Sequence, residues 1–171
     1  PGQTPKMPFD YDVIAIGGGS AGLGVALSMR RLGLKTALIE RSDQRIGGDC
    51  LNDGCVPSKA LIHVARQVWA ARQSTRFGLN VGGNVALDRV MDYVRERQAV
   101  IRAHENAEFL RQTEGVDVLL GEARFAGPQQ LTVTLPDGGE RPVSAKNIVL
   151  CTGSQPQRLN VPGVEHVAVY T

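Results

Sequence analysis

The 171-residue sequence predicts an α/β domain built on a parallel sheet, and three observations carry this prediction. An apolar run at residues 11–16 ends in a glycine-rich turn, a helical pattern follows to about residue 32, and a second apolar run covers residues 35–40. A strand, a turn, a helix and a strand within about 30 residues form a βαβ unit, whose two strands normally lie parallel.

Composition is that of one globular domain, with 42% hydrophobic and 21% charged residues. Residues 1–10 are predicted to be a tail, and residues 11–171 the folded domain. A net charge of +2 with only 5% aromatic residues argues against nucleic-acid binding. No apolar run approaches the roughly 20 residues that span a membrane, and the N-terminus lacks the apolar core of a signal peptide. With three cysteines and no export signal, we expect a cytoplasmic protein.

The first turn has the spacing of a dinucleotide-binding site. Gly17 permits a tight turn, Gly19 lets the backbone approach a pyrophosphate, and Gly22 allows the helix to pack closely on the strand. Glu40 ends the second strand, where a carboxylate can bind ribose hydroxyls. Because strand, helix and acidic residue all stand in the required places, the pattern predicts a dinucleotide site.

Residues 47–59, called the dithiol segment below, contain the most unusual chemistry of the chain. Cys50 and Cys55 are followed by Pro57, which is tolerated in the first turn of a helix, and by Lys59. A helix that begins near Val56 would place Cys55 at its positive end, with Lys59 one turn away, and both features favour a thiolate.

Three interpretations of the two cysteines compete. Zinc needs four ligands, and no second pair of ligands stands in the chain, although His63 could share a helix face with Cys55. Two inert buried thiols would leave the neighbouring glycines, Pro57 and Lys59 unexplained. We favour a redox-active pair, on the condition that a cofactor site lies elsewhere in the chain.

The remaining pattern predicts two helices and then strands. The helices cover residues 56–74, with an apolar stripe expected in the core, and 87–113, and a glycine-containing loop at 77–84 separates them. Strands are expected at 118–125, 130–135, 141–144 and 147–151, the middle two joined by a turn at 136–139 into an antiparallel meander. Residues 95–98 are interpreted as a solvated face, His104 and Glu105 receive no role, and Cys151 is expected in the core.

The dinucleotide pattern, the Cys-x4-Cys segment and a terminal Thr152-Gly153-Ser154 occur in this order. Together they resemble the FAD-dependent pyridine nucleotide–disulfide oxidoreductases, and residues 55–61 are closer to the lipoamide and mercuric branches than to glutathione reductase. The resemblance implies a three-layer, Rossmann-like FAD/NAD(P)-binding domain, with a parallel sheet, helices on one face and the small antiparallel meander on the other.

The resemblance also implies roles for individual residues. Cys55 would face the flavin as the charge-transfer thiol, Cys50 would attack the substrate, and Lys59 would stabilise negative charge on the reduced ring. The residues implied to bind FAD are Gly17, Gly19, Gly22, Glu40, Arg41, Gly48, Asp49, Lys59, Ala123, Thr152, Gly153 and Ser154. Electrons would pass between NAD(P)H, FAD, the cysteine pair and a disulfide or metal-ion substrate.

Two residues depart from the family pattern, which usually has threonine where this chain has Asp49 and an apolar residue where it has Asp53. Because like charge disfavours a thiolate, we hypothesise that the pKa or the redox potential of the dithiol is shifted from the family norm.

The family's NAD(P)-binding and dimer-forming domains have no counterpart in these 171 residues. We therefore expect this chain to be the FAD-binding part of a larger, homodimeric enzyme, and we expect this part to be inactive by itself. Two rival functions stay open. One is a module that binds FAD without turnover, and the other is an NAD-binding domain without flavin, which would give Cys50, Cys55 and Lys59 no task.

Overall fold

The structure is a computed structural model that describes residues 9–157 and 160–169. Within these residues six strands form one sheet and five α-helices accompany it. The strands are β1 (Tyr11–Ile16), β2 (Thr36–Glu40), β3 (Asp117–Leu120), β4 (Glu122–Gly127), β5 (Gln130–Thr134) and β6 (Glu140–Leu150). The helices are α1 (Ser20–Arg31), α2 (Gly48–Asn52), α3 (Cys55–Gln73), α4 (Leu87–Arg102) and α5 (Ala107–Gln112). The predicted α/β class is confirmed.

Strand order in the sheet is β3-β2-β1-β6-β5-β4. β1 pairs in parallel with β2 on one side and with β6 on the other, and β2 pairs in parallel with β3. β4 and β5 continue the sheet beyond β6 as an antiparallel meander. The carboxyl ends of β1, β2, β3 and β6 therefore meet at one edge, which is where ligands bind in open α/β sheets.

β6 joins the two parts of the sheet, and here the expectation of separate strands at 141–144 and 147–151 was wrong. Ser144 still pairs with Gln130 of the meander, and the next residue, Ala145, pairs with Tyr11 of the parallel part. No turn-forming residue stands between the two halves, because only Ala145 and Lys146 separate them. One continuous strand therefore changes partner along its length.

Two apolar clusters cover opposite faces of the sheet and make the expected three layers. Alternate residues of a strand point to opposite faces, so Leu38 packs with α1 and α5 while Ile39 packs with the meander. On the meander side the buried residues include Ile14, Ile39, Leu119, Leu131, Val133 and Val143. On the helix side they include Ala15, Leu23, Ala26, Leu38, Leu110 and Val118.

Two predicted elements are each interrupted in the structure. The helix expected at 87–113 stops at Arg102, and α5 starts anew because the Asn106 side chain accepts a hydrogen bond from the Phe109 N–H (2.8 Å) as an N-cap. The strand expected at 118–125 breaks at Gly121, where a Cβ would lie 2.8 Å from Val133 Cγ1. Short polar or glycine interruptions of this kind are easily overlooked in an otherwise periodic sequence.

α3 and α4 pack against each other, and the expectation that the apolar stripe of α3 lies in the core was wrong for part of it. Ala60 is buried, but Leu61, Ile62 and Trp69 are exposed, Trp69 to 66%. Leu61 and Trp69 line an open groove with Leu87 and Val90 of α4, which leaves them exposed. The loop expected at 77–84 begins with a short 3₁₀ turn that ends at Phe77. None of the described helices combines the length and the apolar character that crossing a membrane requires.

Residues 1–8 of the predicted tail lie outside the described residues. Asp10, the last residue of that tail, already belongs to the fold, because its carboxylate accepts hydrogen bonds from the Ser144 N–H and hydroxyl, both at 2.8 Å.

The buried Tyr11 side chain yields a test of the fold. Its hydroxyl donates to Asp117, and burial together with this carboxylate raises the pKa of Tyr11 to about 12. The neutral form is therefore favoured in the folded state, and stability present below pH 10 is lost as pH rises toward 12. We expect Tyr11→Phe to lower the free energy of unfolding by about 1–2 kcal/mol at pH 8. Above pH 10 the variant should lose less stability with rising pH than the parent. Urea unfolding at pH 8, 10 and 11.5 measures both effects, and an unchanged pH dependence in the variant would contradict the assignment.

Candidate dinucleotide and dithiol site

The turn between β1 and α1 requires glycine at Gly17, and the helix behind it requires glycine at Gly22. Gly17 has φ +104° and donates its N–H to the Ile39 carbonyl (2.7 Å). A Cβ on Gly17 would overlap the Cys151 carbonyl oxygen, and a Cβ on Gly22 would overlap the carbonyl oxygen of Gly17. The backbone segments thus approach one another more closely than any side chain permits.

The N-terminus of α1 opens toward solvent from this turn. α1 is 12 residues long, begins at Ser20, and receives no side-chain cap at Gly19. Its first N–H groups have no acceptor within the helix, so they and the helix dipole favour an anionic group in front of them.

Glu40 is held at the end of β2 by two backbone donors. Its carboxylate accepts from the Gly18 N–H and from the Arg41 N–H, both at 2.7 Å. These bonds fix the direction of the carboxylate and leave lone pairs on both oxygens for a further donor such as a ribose hydroxyl.

Two adjoining clefts lie along the carboxyl ends of the parallel strands. The larger has a volume of about 780 Å³ and the smaller about 300 Å³, and they share Gly17, Glu40, Arg41 and Thr152. The larger is lined by Gly17, Gly19, Ser20, Ala21, Glu40, Arg41, Arg45, Gly48, Asp49, Cys50, Leu150, Cys151, Thr152, Gly153, Ser154 and Gln155. The smaller extends to Gly121, Glu122 and Ala123. Together they form an elongated groove from the meander, past the N-terminus of α1, to Cys50.

This groove fits an extended dinucleotide. Gly17 and Gly19 line it without side chains, the N–H donors of α1 stand at its centre, and a carboxylate stands where ribose hydroxyls would lie. A cofactor with its adenine near Ala123 and its diphosphate at α1 would have its other end directed toward Cys50.

Backbone contacts connect the dithiol segment to the glycine turn. The Gly47 N–H donates to the Gly18 carbonyl (2.9 Å), and a Cβ on Gly48 would lie 2.7 Å from Gly19 Cα. Gly47 and Gly48 both have positive φ, +91° and +59°, a conformation that favours glycine. These two glycines let the chain pass beside the turn and enter α2, a helix that the sequence pattern did not reveal.

Cys50 of α2 and Cys55, the first residue of α3, are free thiols in hydrogen-bond contact. The hydrogen bond to Cys55, burial and the charge of Cys55 raise the pKa of Cys50, whereas Ser20 and Lys59 oppose the shift. Cys50 thus tends to keep its proton while it donates to the Cys55 sulfur. Two thiols in contact need only a small movement to form a disulfide.

Arg45 binds both of the carboxylates that depart from the family pattern. Its guanidinium lies 3.1 Å from Asp49 Oδ1 and 2.8 Å from Asp53 Oδ2. All three side chains are substantially exposed, and neither carboxylate is among the main causes of the raised pKa of Cys50. The hypothesis that these acids oppose the thiolate therefore applies to a charge cluster that Arg45 partly neutralises.

We expect Arg45→Ala to slow alkylation of the dithiol at pH 7 by about two- to threefold, because two carboxylates then stand unpaired near the cysteines. Asp49→Thr in the parent chain should change the rate less, since Arg45 then still pairs with Asp53. Mass spectrometry of the individual cysteine peptides measures the rate of iodoacetamide alkylation in both variants. Equal effects of the two substitutions would show that Arg45 does not shield the pair.

The structure brings together most of the residues predicted for the site. Gly22 lies buried beneath the turn, Ala123 lines the smaller cleft, and Cys55 and Lys59 stand beside Cys50 rather than in the cleft wall. The other predicted residues line the larger cleft. Their roles toward a cofactor stay predictions.

Sequence reasoning missed several residues of the groove. Ser20 occupies a variable position of the glycine pattern, and Arg45 stands in a polar stretch that is typical of solvated surface. Cys151 was expected in the core, but it is only half-buried and lines the cleft, because β6 ends at Leu150 and the chain leaves the sheet there.

His63 and His104 pack against aromatic rings and do not line the two clefts. His63 stacks on Tyr93 of α4 with 5.8 Å between ring centroids, and His104 contacts the edge of Phe109. Among residues 9–157 and 160–169 no group of three or more His, Cys, Asp or Glu side chains is arranged to hold a metal ion.

Comparison with known proteins identifies a family. The sequence model described as pyridine nucleotide-disulphide oxidoreductase matches residues 11–171. A dihydrolipoyl dehydrogenase of Chlorobaculum tepidum is 37% identical over 95% of this chain and 34% of its own length. Dihydrolipoyl dehydrogenase 3 of Pseudomonas aeruginosa is 40% identical over 92% of this chain and 33% of its own length. The chain thus spans about a third of the length of these curated relatives.

Solved structures agree with this similarity. The HOCl-induced flavoprotein disulfide reductase RclA of Escherichia coli superposes with a TM-score of 0.70 at 28% identity, over 91% of this chain and 31% of that one. The Cu(II) complex of the same reductase gives a TM-score of 0.67 at 27% identity, over 90% of this chain and 30% of that one.

Proposed function

Because the chain belongs to the pyridine nucleotide-disulphide oxidoreductase family, we propose that it supplies the FAD site and the redox-active dithiol of an NAD(P)H-dependent oxidoreductase. Residues 11–171 would form the FAD-binding domain. The observation that carries this proposal is the continuous groove that joins the glycine turn to Cys50. A site for nicotinamide dinucleotide alone would need no thiol pair at its end.

The chain's own residues would share the work as follows. The N–H groups at the start of α1 would bind the diphosphate, Glu40 would bind the adenosine ribose, and Ala123 would contact the adenine. When bound, FAD would supply two-electron transfer between NAD(P)H and the cysteines. Lys59 would favour negative charge near the cysteine pair and the flavin.

Chemistry at the cysteines is thiol–disulfide exchange. Two electrons and two protons convert a Cys50–Cys55 disulfide into two thiols. The Cys50 sulfur would then attack one sulfur of a disulfide substrate and displace the other as a thiol, and Cys55 would attack the mixed disulfide to release the second thiol. The substrate leaves reduced, and the Cys50–Cys55 disulfide is formed again.

Visible absorption of the purified protein tests the proposal. A bound flavin that bleaches with dithionite, with a long-wavelength band after addition of a mild dithiol, is the expected result and would place Cys55 against the ring. Absence of flavin even after FAD is added would contradict it, and a subsequent titration with NAD would then test the rival NAD-binding domain. A flavin that binds without any response to the dithiol would instead favour the module without turnover.

We also propose the substrate class and the oligomeric state of the whole enzyme. Dihydrolipoyl dehydrogenases among the relatives support a small or protein-bound disulfide substrate, and the Cu(II) complex of RclA makes a metal-ion substrate the second candidate. A homodimer of the complete enzyme is proposed from the family.

A further inference from the structure

α4 reaches across to the dithiol segment with two polar side chains. Gln98 Nε2 donates to the carbonyl oxygens of Leu51 (3.0 Å) and Asn52 (2.9 Å). Residues 95–98 were expected to form a solvated face, and for Gln98 that expectation was wrong, because its amide is half-buried against α2.

Arg102 extends this contact by one turn of α4. Its Nη2 donates to Asn52 Oδ1 (2.6 Å) and its Nη1 donates to the Gln44 carbonyl (2.8 Å). Asn52 in turn donates to the Gly48 carbonyl (2.8 Å), so its side chain spans α2 from end to end.

These bonds fall on the residues that connect the two cysteines. Carbonyl groups at the end of a helix lack intrahelical donors, and in a five-residue helix such as α2 few backbone bonds hold the remainder. Gln98 satisfies two of these carbonyls from outside, and Arg102 fixes the side chain of Asn52. Consequently α4, which carries neither thiol, fixes the position of the backbone between Cys50 and Cys55.

We propose that Gln98 and Arg102 are positioning residues that hold Cys50 and Cys55 in contact and so favour their disulfide over the separated dithiol. This role rests on the proposed redox function of the pair. Neither side chain is hydrogen-bonded to a sulfur. Gln98 acts through the carbonyls of Leu51 and Asn52, and Arg102 acts through the side chain of Asn52. Preorganisation of this kind raises the effective concentration of one thiol at the other.

The charged groups around the cysteine pair differ in their effect on the pKa of Cys50. Lys59 comes from α3, Arg45 with Asp49 and Asp53 lies on the outer side, and the half-buried Glu105 stands beside Gly47 after the end of α4. Of these charged groups Lys59 lowers the pKa of Cys50, and the three carboxylates are not among the main causes of its shift. Gln98 is neutral and can act only on geometry. A loss caused by Gln98→Ala therefore separates positioning from charge.

Equilibrium with glutathione measures the effect in the full chain. One glutathione disulfide and the two thiols give the Cys50–Cys55 disulfide and two glutathione thiols, so two electrons pass to glutathione sulfurs that keep the two protons. Acid trapping followed by mass spectrometry gives the ratio of disulfide to dithiol, and the Cys151 peptide serves as an internal reference.

We expect Gln98→Ala and Arg102→Ala each to lower this equilibrium constant by about threefold to tenfold. Arg102→Lys should retain most of it, because an ammonium group can still donate to Asn52. Arg95→Ala is the matched control on the same helix, since the Arg95 guanidinium pairs with Asp92 (2.6 Å), and it should leave the constant unchanged.

The outcomes separate the two levels of the proposal. A parent constant that persists in both alanine variants overturns the positioning role but leaves the redox function intact. A parent chain that forms no Cys50–Cys55 disulfide at any glutathione ratio overturns the redox function itself. Equal losses in the Arg95 control would assign the effect to α4 stability in general and would also overturn the specific role.

Discussion

Gly22→Ala is expected to destabilise the chain by about 3 kcal/mol or more and to abolish binding of FAD. The added methyl group would overlap the carbonyl oxygen of Gly17, and backbone cannot turn away as a flexible side chain can. Relief requires α1 to move from β1, and this movement displaces the N–H groups that face the groove. Urea unfolding measures the stability, and quenching of flavin fluorescence measures the binding.

Gly24→Ala is the matched control for this prediction. It lies in the same helix, and nothing stands within 4 Å of a Cβ built there. Because alanine stabilises a helix interior more than glycine does, we expect the free energy of unfolding to rise by about 0.5–1 kcal/mol. FAD binding should be retained. If both variants behaved alike, close packing of the turn would not be the cause.

Cys55→Ser is expected to eliminate the intramolecular disulfide and, at the same time, to make Cys50 more reactive. The hydrogen bond to Cys55 and the charge of Cys55 are leading causes of the raised pKa of Cys50. Removal of the sulfur therefore lets the pKa of Cys50 fall toward its ordinary value, and its thiolate fraction near pH 8 rises. We expect alkylation of Cys50 to accelerate by about threefold to tenfold.

The rate of iodoacetamide alkylation at pH 7 to 9, resolved by peptide, measures this response. Cys151 in the same sample is the internal standard, because it follows the end of β6 and does not belong to the pair. A slower reaction of Cys50 in the variant would mean that Cys55 activates its neighbour, the reverse of the electrostatic argument.

The parts of the fold that could be predicted depend on local chemistry. β1, the glycine turn and α1 follow from contiguous residues, since only glycine fits at Gly17 and Gly22. The start of α3 was likewise predicted near Val56 from Pro57, whose ring suits a first helical turn, and the helix begins one residue earlier, at Cys55. Each of these signals is contained within a few residues.

What could not be predicted depends on contacts between distant segments. α2 exists because Gly47 and Gly48 pass beside the glycine turn and because Gln98 and Arg102 satisfy its end from about 50 residues away. Residue type and periodicity carry no trace of these partners, so in the sequence Gln98 is one polar residue among its neighbours.

The central place of β1 has a consequence for how the protein is made. β1 leaves the ribosome before its partner β6, which follows about 130 residues later in the chain. At roughly 5–20 residues per second, β1 waits about 7–25 s with one hydrogen-bonding edge open. During that interval its apolar residues Val13 to Ile16 can pair with another nascent chain. Chaperone capture of nascent chains should therefore decline once residue 150 has emerged.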